Sequence, residues 1–382
     1  MTPPRGFPPA EFADRVRRAQ ASMATQGLAA LLLTTEPEVR YYTGFLTRFW
    51  ESPTRPWFVV MPATGKPIAV IPSIGAHLMG QTWVEDIRTW SSPDYADDGV
   101  GLLAETLSEV VPVDGWIGLA DQMESHVRMP RAALRELETR IGTRALVSDG
   151  AITRTLRMVK SEAEVAKIAQ AVSVATRAFD RVGEIARADL PLDRVFRDFQ
   201  RLCLEEGADW VPYLAGAAGP DGYGDVISPA TGAPLEVCDI LMLDTGLVRD
   251  GYFCDFDRNF ALGPPSAAAR AAYARLIAAT EAAFDAAKPG AIVSDVFTAM
   301  ASVLGTENSA GRLGHGLGIQ LTEWPSLIAD DHTVLAPGMV LTLEPSIAVS
   351  PGKLLVHEEN IVIRDGDAEW LTAPSGPELP VI

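Results

Sequence analysis

The spacing of apolar residues predicts alternating helices and strands over the first 150 residues. Apolar side chains recur at helical spacing in 11–26. Short apolar runs predict buried strands at 27–35, 57–62, 67–73 and 116–121. Helical periodicity returns at 99–111 and 129–140. Strands that alternate with helices indicate an α/β domain over residues 1–150.

The pattern changes after a predicted linker at 151–160. Ser161 and Glu164 form a capping-box pattern at the start of a helix predicted to run to residue 186. Further helices are predicted at 192–206, 266–287 and 293–304, and strand-rich segments at 209–262 and 312–371. Because helices and antiparallel hairpins are grouped separately, residues 161–382 are expected to form an α+β domain.

Composition limits the partners of the chain. Hydrophobic residues make up 47% of the 382 residues, which is enough to bury sizeable cores. The net charge is −18 and no basic cluster stands out, so we expect neither nucleic acid nor a membrane surface as a partner. No apolar run approaches the roughly 18 residues of a membrane span. The three cysteines include no C-x-x-C pair, and we expect a cytoplasmic protein.

Two acidic residues flank a predicted hairpin in ILMLDTGLVRDGYFCDFDRNF (240–260). The turn contains Asp-Gly, and a hairpin centred near 249–250 would place Asp244 and Asp255 opposite each other to within one residue. Facing carboxylates in a buried strand need a cation or a shared proton. The alternative is a pair of turn aspartates in solvent.

A second hairpin repeats this arrangement in MVLTLEPSIAVSPGKLLVHEENIVI (339–363). Its turn at 350–353 would place Glu344 opposite Glu358, with Glu359 as a competing candidate. His315 lies between glycines in GRLGHGLGIQ, and its alternative role is structural. Four carboxylates and one imidazole suit Mn²⁺, Co²⁺, Fe²⁺ or Zn²⁺. Four carboxylates are natural for two ions about 3.5–4 Å apart that activate a bridging water.

These segments together resemble the pita-bread metalloenzyme family, which includes methionine aminopeptidase, aminopeptidase P, prolidase and creatinase. The resemblance is carried by DTGLVRDGYFCDFDR, GHGLG, GMVLTLEPSI and HEENIVI, and in the first half by GLAALLLTTEPEVRYYTGF. It implies an α/β creatinase-like N-terminal domain followed by an α+β pita-bread catalytic domain. It also selects Glu358 over Glu359 as a metal ligand.

The resemblance implies a role for each ligand. Asp244 would bind one metal ion, His315 and Glu344 the other, and Asp255 and Glu358 would bridge them. A bridging hydroxide would attack a carbonyl carbon, with Glu344 moving the proton. Two divalent ions are therefore expected as cofactors, with Mn²⁺ as the first expectation and Co²⁺, Fe²⁺ or Zn²⁺ as alternatives.

The sequence also departs from the pattern of the peptidases in this family. Their two accessory histidines are missing, since 209–243 contains no histidine and Thr322 stands where the second is usual. Asp257 and Asn259 stand where threonines are usual, and Ser346 where glycine is usual. The candidates to fill the catalytic and substrate-binding space are Thr322, Glu323, Tyr223 and Asp225, each of which could equally be a surface or packing residue.

The segment TRFWESPTRPW (47–57) supplies further candidate substrate-binding residues. In creatinase-like dimers this region of one subunit reaches the active site of the other. We therefore expect a homodimer in which Arg48, Trp50 and Arg55 contact the substrate, and guanidinium groups bind carboxylates well. The alternative is aromatic packing within a surface loop.

The first functional expectation is a two-metal hydrolase of a short peptide or small amide, similar to Xaa-Pro dipeptidase or aminopeptidase P. One alternative is a non-peptidase member, either a creatinase-like C–N hydrolase or a lyase of a small zwitterion, which the missing histidines favour. Another is a binding protein that has lost catalysis, which the complete ligand set disfavours.

Overall fold

The structure is a computed structural model that describes residues 4–52, 55–305 and 311–382. Contacts divide these residues into two units, 4–157 and 158–382. The segment 151–160, predicted as a linker, contains a helix at Ile152–Met158. Residues 1–3 of the predicted first domain and 53–54 of the segment 47–57 lie outside the described residues. Among the helices that the structure describes, none is long and apolar enough to cross a bilayer.

The N-terminal unit is an α/β fold. Its strands are β1 (Leu28–Leu33), β2 (Phe58–Pro62), β3 (Ile68–Pro72), β4 (Asp86–Trp90), β5 (Trp116–Leu119) and β6 (Ala145–Ser148). Its α-helices are α1 (Pro9–Gln26), α2 (Glu36–Thr43), α3 (Ala76–Met79), α4 (Val100–Val110), α5 (Arg131–Arg140) and α6 (Ile152–Met158). The strands form a mixed sheet in the order β4-β3-β2-β1-β5-β6, and apolar side chains such as Leu32, Phe58 and Leu107 pack in its core. The α/β character expected from the alternating pattern is confirmed.

The helices of the C-terminal unit are α7 (Glu162–Phe179), α8 (Leu192–Glu206), α9 (Ala267–Ala286) and α10 (Val293–Leu304). The capping box at Ser161 and Glu164 is present as predicted. The helix does not run to residue 186, however. Beyond Phe179 the backbone tightens into a 3₁₀ turn at Val182–Glu184, with Arg181 N donating to Ala178 O at 3.2 Å. Gly183, a poor helix former, lies in this turn.

The strands of this unit form two main sheets and a separate ribbon. They are β7 (Trp210–Pro220), β8 (Asp239–Arg249), β9 (Tyr252–Phe253), β10 (Phe256–Ala261), β11 (His315–Gly316), β12 (Glu323–Ser326), β13 (Val340–Leu343), β14 (Ser346–Ser350), β15 (Lys353–Val356), β16 (Glu359–Val362) and β17 (Glu369–Trp370). Within the described ranges, one sheet has the order β10-β8-β7, with β9 paired to β8, and the other has the order β12-β11-β13-β16-β17. The ribbon is β14-β15.

Helices cover both sheets and leave the sheets in contact with each other. α7 packs against β8 and α8 against β7, while α9 packs against β13, β14 and β15. Buried apolar residues including Met242, Leu276 and Leu341 form the core between these elements. Contacts between β10 and β16 bring the two sheets together, so residues next to these two strands become neighbours although they are distant in sequence.

A two-residue turn sets the register of the β8–β9 hairpin. Arg249 pairs with Tyr252, and the two residues between them have positive φ, 50° at Asp250 and 78° at Gly251. Two positive φ values in succession are the requirement of a type I′ turn, whose twist matches that of the flanking strands. The turn therefore centres between residues 250 and 251.

We predict that Gly251→Ala destabilises the chain by about 1–2 kcal/mol, because a Cβ atom is strained at this φ. The free energy of unfolding from urea denaturation measures the loss. Gly232→Ala is the matched control, since a Cβ atom there meets nothing within 4 Å, and it should change stability by no more than about 0.5 kcal/mol. Equal effects of the two substitutions would contradict the assigned turn.

Candidate metal centre

The five predicted metal ligands lie in or next to strands of the C-terminal unit. Asp244 lies within β8, Asp255 between β9 and β10, His315 in β11, Glu344 between β13 and β14, and Glu358 between β15 and β16. We call these five side chains the acidic cluster. Three of them, Asp255, His315 and Glu358, are buried and each offers a ligand atom within 4.8 Å of the other two.

The register of the first hairpin differs from the prediction. Asp244 pairs with Asp257 rather than with Asp255, so the expected register is wrong by two residues. The cause is the turn at Asp250 and Gly251, which lies further along the chain than the predicted centre. Asp255 instead lies between β9 and β10, and its Oδ2 is 3.4 Å from His315 Nε2.

The register of the second hairpin is the predicted one. Leu343 pairs with Glu359 in one ladder and Ser346 with Val356 in the other, and both pairs continue a single register through Glu344 and Glu358. His357 N donates to Pro345 O at 3.1 Å between the two ladders. Glu344 and Glu358 therefore lie opposite each other, as the spacing predicted.

His315 is held with one ring nitrogen toward the carboxylates. Its Nδ1–H donates to Gly316 O at 2.8 Å, which places the ring lone pair on Nε2, the nitrogen that lies beside the carboxylates. Nε2 lies 3.4 Å from Asp255 Oδ2 and 4.0 Å from Glu344 Oε2. The preceding Gly314 has φ +148°, and a Cβ atom there would come within 2.2 Å of Thr342 O. Only glycine allows the backbone to bring His315 this close to β13.

The carboxylates repel one another strongly when no cation is present. Burial raises the pKa of Asp244 well above its usual value, and Asp255 and Glu344 raise it further. Burial, followed by Asp255, Glu344 and Asp244, does the same to the pKa of Glu358. The pKa of Asp255 is also raised well above its usual range by burial and then by Glu344.

Two buried carboxylate oxygens in the cluster are available to coordinate a cation. Asp244 Oδ1 and Glu358 Oε1 are buried and have no hydrogen-bond partner in the part of the chain that the structure describes. A buried unpaired carboxylate oxygen is costly, and metal coordination is one of the few ways to satisfy it. The set of oxygen donors and one imidazole fits divalent transition-metal ions.

Two supporting residues were not predicted from the sequence. Tyr213 OH donates to Asp244 Oδ2 at 3.0 Å. The side-chain amide of Asn360 binds the backbone of Asp255 on both sides, accepting from its N at 3.2 Å and donating to its O. The one available signal for Asn360 was a polar residue inside the apolar run after Glu359.

Asp257 adds a further buried carboxylate beside the cluster. It faces Asp244 across the β8–β10 ladder, and burial raises its pKa to about 7 although His357 opposes the shift. Neighbouring Asn259 donates to Val356 O at 2.7 Å and accepts from Tyr223 OH at 3.1 Å. Tyr223 OH also accepts from Val356 N at 2.8 Å, so the buried Tyr223 hydroxyl is used within the core. This position is a structural one, and we propose no role in substrate binding for Tyr223.

The predicted catalytic residues Thr322 and Glu323 occupy different environments. Glu323 is buried, accepts from Gln320 N at 3.1 Å and forms an ion pair with Lys160 at 3.1 Å. Its carboxylate is therefore held in a structural contact. Thr322 is half-buried and accepts a 3.4 Å hydrogen bond from Arg312 Nη2. Arg312 in turn has its Nε 3.4 Å from Glu344 Oε1, so Thr322 is linked to the cluster through an arginine that the sequence did not single out.

Asp225, also considered for this space, is exposed. Its carboxylate accepts hydrogen bonds from Ile227 N at 2.9 Å and from Ser228 N and Oγ, both at 2.7 Å. These contacts lower its pKa, with the Ser228 hydroxyl having the largest effect. The pattern is that of a residue that caps its own turn.

The candidates in the N-terminal unit form a packed loop. Trp50 is buried, 7% exposed, beside Trp57, so its ring is not presented on the surface of the unit. Arg128 holds this loop by donating to Arg55 O at 2.6 Å and Ser52 O at 2.5 Å. Arg48 is exposed and paired with Glu51. The aromatic packing given as the alternative is present, and a role of this loop in substrate binding stays a prediction.

Comparison with known families identifies the fold and the class of enzyme. The model of metallopeptidase family M24 matches residues 166–365, and that of the creatinase/prolidase N-terminal domain matches residues 15–159. The chain belongs to metallopeptidase family M24. This confirms the resemblance drawn from the motifs, the creatinase-type domain followed by the pita-bread domain, and the expectation of a hydrolase that uses divalent metal ions.

Relatives of this M24 chain match it over nearly its whole length or over a large part of it. The probable dipeptidase PepE of Mycobacterium tuberculosis is 29% identical over 370 residues, which cover 95% of this chain and 94% of that protein. The Xaa-Pro dipeptidase of Pyrococcus horikoshii is 26% identical over 251 residues, covering 64% and 71% of the two chains.

Solved structures show the same fold. The dipeptidase PepE from Mycobacterium ulcerans superposes with a TM-score of 0.84 at 28% identity and covers 99% of both chains. The prolidase from Thermococcus sibiricus superposes with a TM-score of 0.86 at 22% identity, covering 97% of this chain and 99% of that one. At that identity the prolidase structure supports the fold alone.

The raised pKa values predict how the stability of the metal-free chain depends on pH. Asp244, Asp255 and Glu358 hold their protons more tightly when folded than when unfolded. Stability should therefore fall as pH rises above the ordinary carboxyl pKa of about 4. Added Mn²⁺ should stabilise more as pH rises, because it binds the ionised forms.

The melting temperature of EDTA-treated protein between about pH 5 and pH 8, with and without Mn²⁺, measures this effect. The control is Asp255→Asn/Glu358→Gln, which removes two of the titrating groups. Its metal-free form should lose less stability with rising pH and should not respond to Mn²⁺. An unchanged pH dependence in this variant would show that other groups are responsible.

Proposed function

We propose that this chain is a two-metal dipeptidase, with Xaa-Pro dipeptides among its substrates. The observation that carries the proposal is the buried acidic cluster, in which two carboxylate oxygens lack partners among the described residues and one imidazole is preset for coordination. Four carboxylates carry four negative charges, which two divalent ions balance. A single divalent ion would leave a net negative charge in a buried site.

The geometry supports a division of the ligands between two ions. Asp255 lies next to both His315 and Glu358 within the same close group, which suits a ligand shared by both ions. His315 and Glu344 lie on one side, with Nε2 and Oε2 4.0 Å apart. Asp244, whose second oxygen is held by Tyr213, would serve the other ion. Manganese is the proposed metal, and Co²⁺, Fe²⁺ and Zn²⁺ share the required ligand preference.

When bound, two divalent ions supply a water that is ionised near neutral pH and an electrophile for the scissile carbonyl. The chain itself supplies the proton transfer. Glu344 is the candidate because its side chain is 24% exposed, whereas those of Asp255 and His315 are only 5% and 3% exposed. A carboxylate at the open side of the cluster can accept the proton of the attacking water and deliver it to the departing amine.

Relatives support peptides as the substrate class. Two relatives that match almost end to end with this chain carry the name dipeptidase, and another carries the name Xaa-Pro dipeptidase. We therefore place a short peptide first. The homodimer and the cytoplasmic location expected from the sequence stay predictions, as does the reach of Arg48 and Arg55 into a partner's active site.

A second candidate function is a creatinase-like hydrolase or a lyase of a small zwitterion. One observation favours it, because Thr322, which by the family resemblance stands where the peptidases have a histidine, accepts a hydrogen bond from Arg312. A guanidinium and a hydroxyl can hold a charged small molecule, but they are poor general acids near neutral pH.

We predict that protein reconstituted with Mn²⁺ hydrolyses Ala-Pro or Ala-Leu, and does not turn over creatine or a sulfonium or betaine zwitterion. Release of free amino acids, measured by mass spectrometry, provides the test. Glu358→Gln should reduce turnover by more than about 100-fold, since loss of a ligand should exceed the usual effect of changing a residue that only supports one. Turnover of a zwitterion without hydrolysis of any peptide would select the second function.

A further inference from the structure

Arg312 is the cation at the acidic cluster. Among the described residues it is the one lysine or arginine with a side-chain nitrogen within 4 Å of a carboxylate oxygen of the cluster, 3.4 Å from Glu344 Oε1. The site is otherwise acidic and lies in a chain of net charge −18. This guanidinium can therefore bind an anionic group of a substrate.

The backbone that follows Arg312 is fixed relative to Glu344. Leu313 N donates to Leu327 O at 2.9 Å, and Leu313 O accepts from Glu344 N at 3.0 Å. Leu313 is 1% exposed and belongs to the core of the unit. The hydrogen bond from Glu344 connects the residue after Arg312 directly to a carboxylate ligand whose side chain is 24% exposed. Arg312 is thus held at the open side of the cluster by main-chain contacts.

The guanidinium has donors to spare. Within the described part of the chain it makes one hydrogen bond, the 3.4 Å contact from Nη2 to the Thr322 hydroxyl, and its side chain is 37% exposed. An arginine side chain has five N–H donors in a planar fork that matches a carboxylate. Most of these donors are therefore available to a ligand that enters beside Glu344.

We propose that Arg312 binds the free C-terminal carboxylate of the substrate and thereby restricts the enzyme to dipeptides. This inference rests on the proposed function. In a dipeptide the terminal carboxylate lies one residue, about 3.5 Å, beyond the scissile bond. The Arg312 guanidinium contacts Glu344, a proposed metal ligand, so it lies at a similar distance from where the scissile bond would be. A longer peptide would bring a neutral amide to the same place, and an amide cannot accept the two parallel charge-assisted hydrogen bonds that a carboxylate accepts.

The test compares Arg312→Ala and Arg312→Lys with the wild type on Ala-Pro and Ala-Leu and on the C-terminal amides of both. Arg312→Ala should lower kcat/KM for the acids by about 100-fold, mainly through KM, because a charge-assisted pair is lost. It should change kcat/KM for the amides by less than about threefold. Arg312→Lys should lie between the two, since it keeps the charge but loses the fork.

Arg364→Ala is the matched control, because it also removes one positive charge but from a surface pair with Glu162 and Glu369. Arg364→Ala should leave kcat/KM for all four substrates unchanged. The Mn²⁺ content of each variant must equal that of the wild type. Equal losses on acids and amides in Arg312→Ala would overturn the proposal, because they would show that Arg312 acts through Glu344 rather than on the substrate.

A binding measurement separates this inference from the proposed function. L-proline and L-leucine should raise the melting temperature of the Mn²⁺-loaded wild type more than their amides do, and Arg312→Ala should abolish the difference. That result would support carboxylate binding by Arg312 even if the wild type hydrolysed no dipeptide, in which case the proposed function alone would fail. No difference between acid and amide in the wild type would overturn carboxylate binding by Arg312.

Discussion

Mutual repulsion among buried carboxylates is the constraint on which the C-terminal unit depends. Asp244, Asp255 and Glu358 are gathered where burial and neighbouring negative charge all oppose ionisation. Such an arrangement is costly unless cations enter it. The ligands are positioned by the strands, by the turn at 250–251 and by the close approach of the Gly314 backbone to β13. Membership of family M24 explains why the fold keeps these buried carboxylates together, since divalent metal ions are part of the chemistry of the family.

Contacts around the cluster fix the ligands before any metal ion binds. Asn360 ties the backbone of Asp255 to β16, Tyr213 holds one oxygen of Asp244, and Gly316 O sets the tautomer of His315. Preset ligands reduce the conformational entropy lost on coordination. Arg312 is different, because it is more exposed and lies at the open side of the cluster. We infer that the buried contacts position the metal ligands, whereas the exposed Arg312 selects substrates with a free C-terminal carboxylate.

Local signals in the sequence were sufficient for some parts of this site and insufficient for others. The register through Glu344 and Glu358 was predictable, because apolar strands on both sides of a short turn define it. The register at Asp244 was predicted wrongly, because the positive φ values at Asp250 and Gly251 move the turn along the chain and place Asp257 opposite. Asn360 and Arg312 were not predicted, because their partners Asp255 and Glu344 are distant from them in the sequence.

The central claim is that the acidic cluster holds two metal ions. A crystal structure of the Mn²⁺-loaded protein, with anomalous scattering recorded at the manganese edge, tests it most directly. We expect two anomalous peaks per chain, with Asp255 and Glu358 in contact with both ions and His315 Nε2 in contact with one. A single peak, or peaks away from these side chains in protein that is fully active, would contradict the claim.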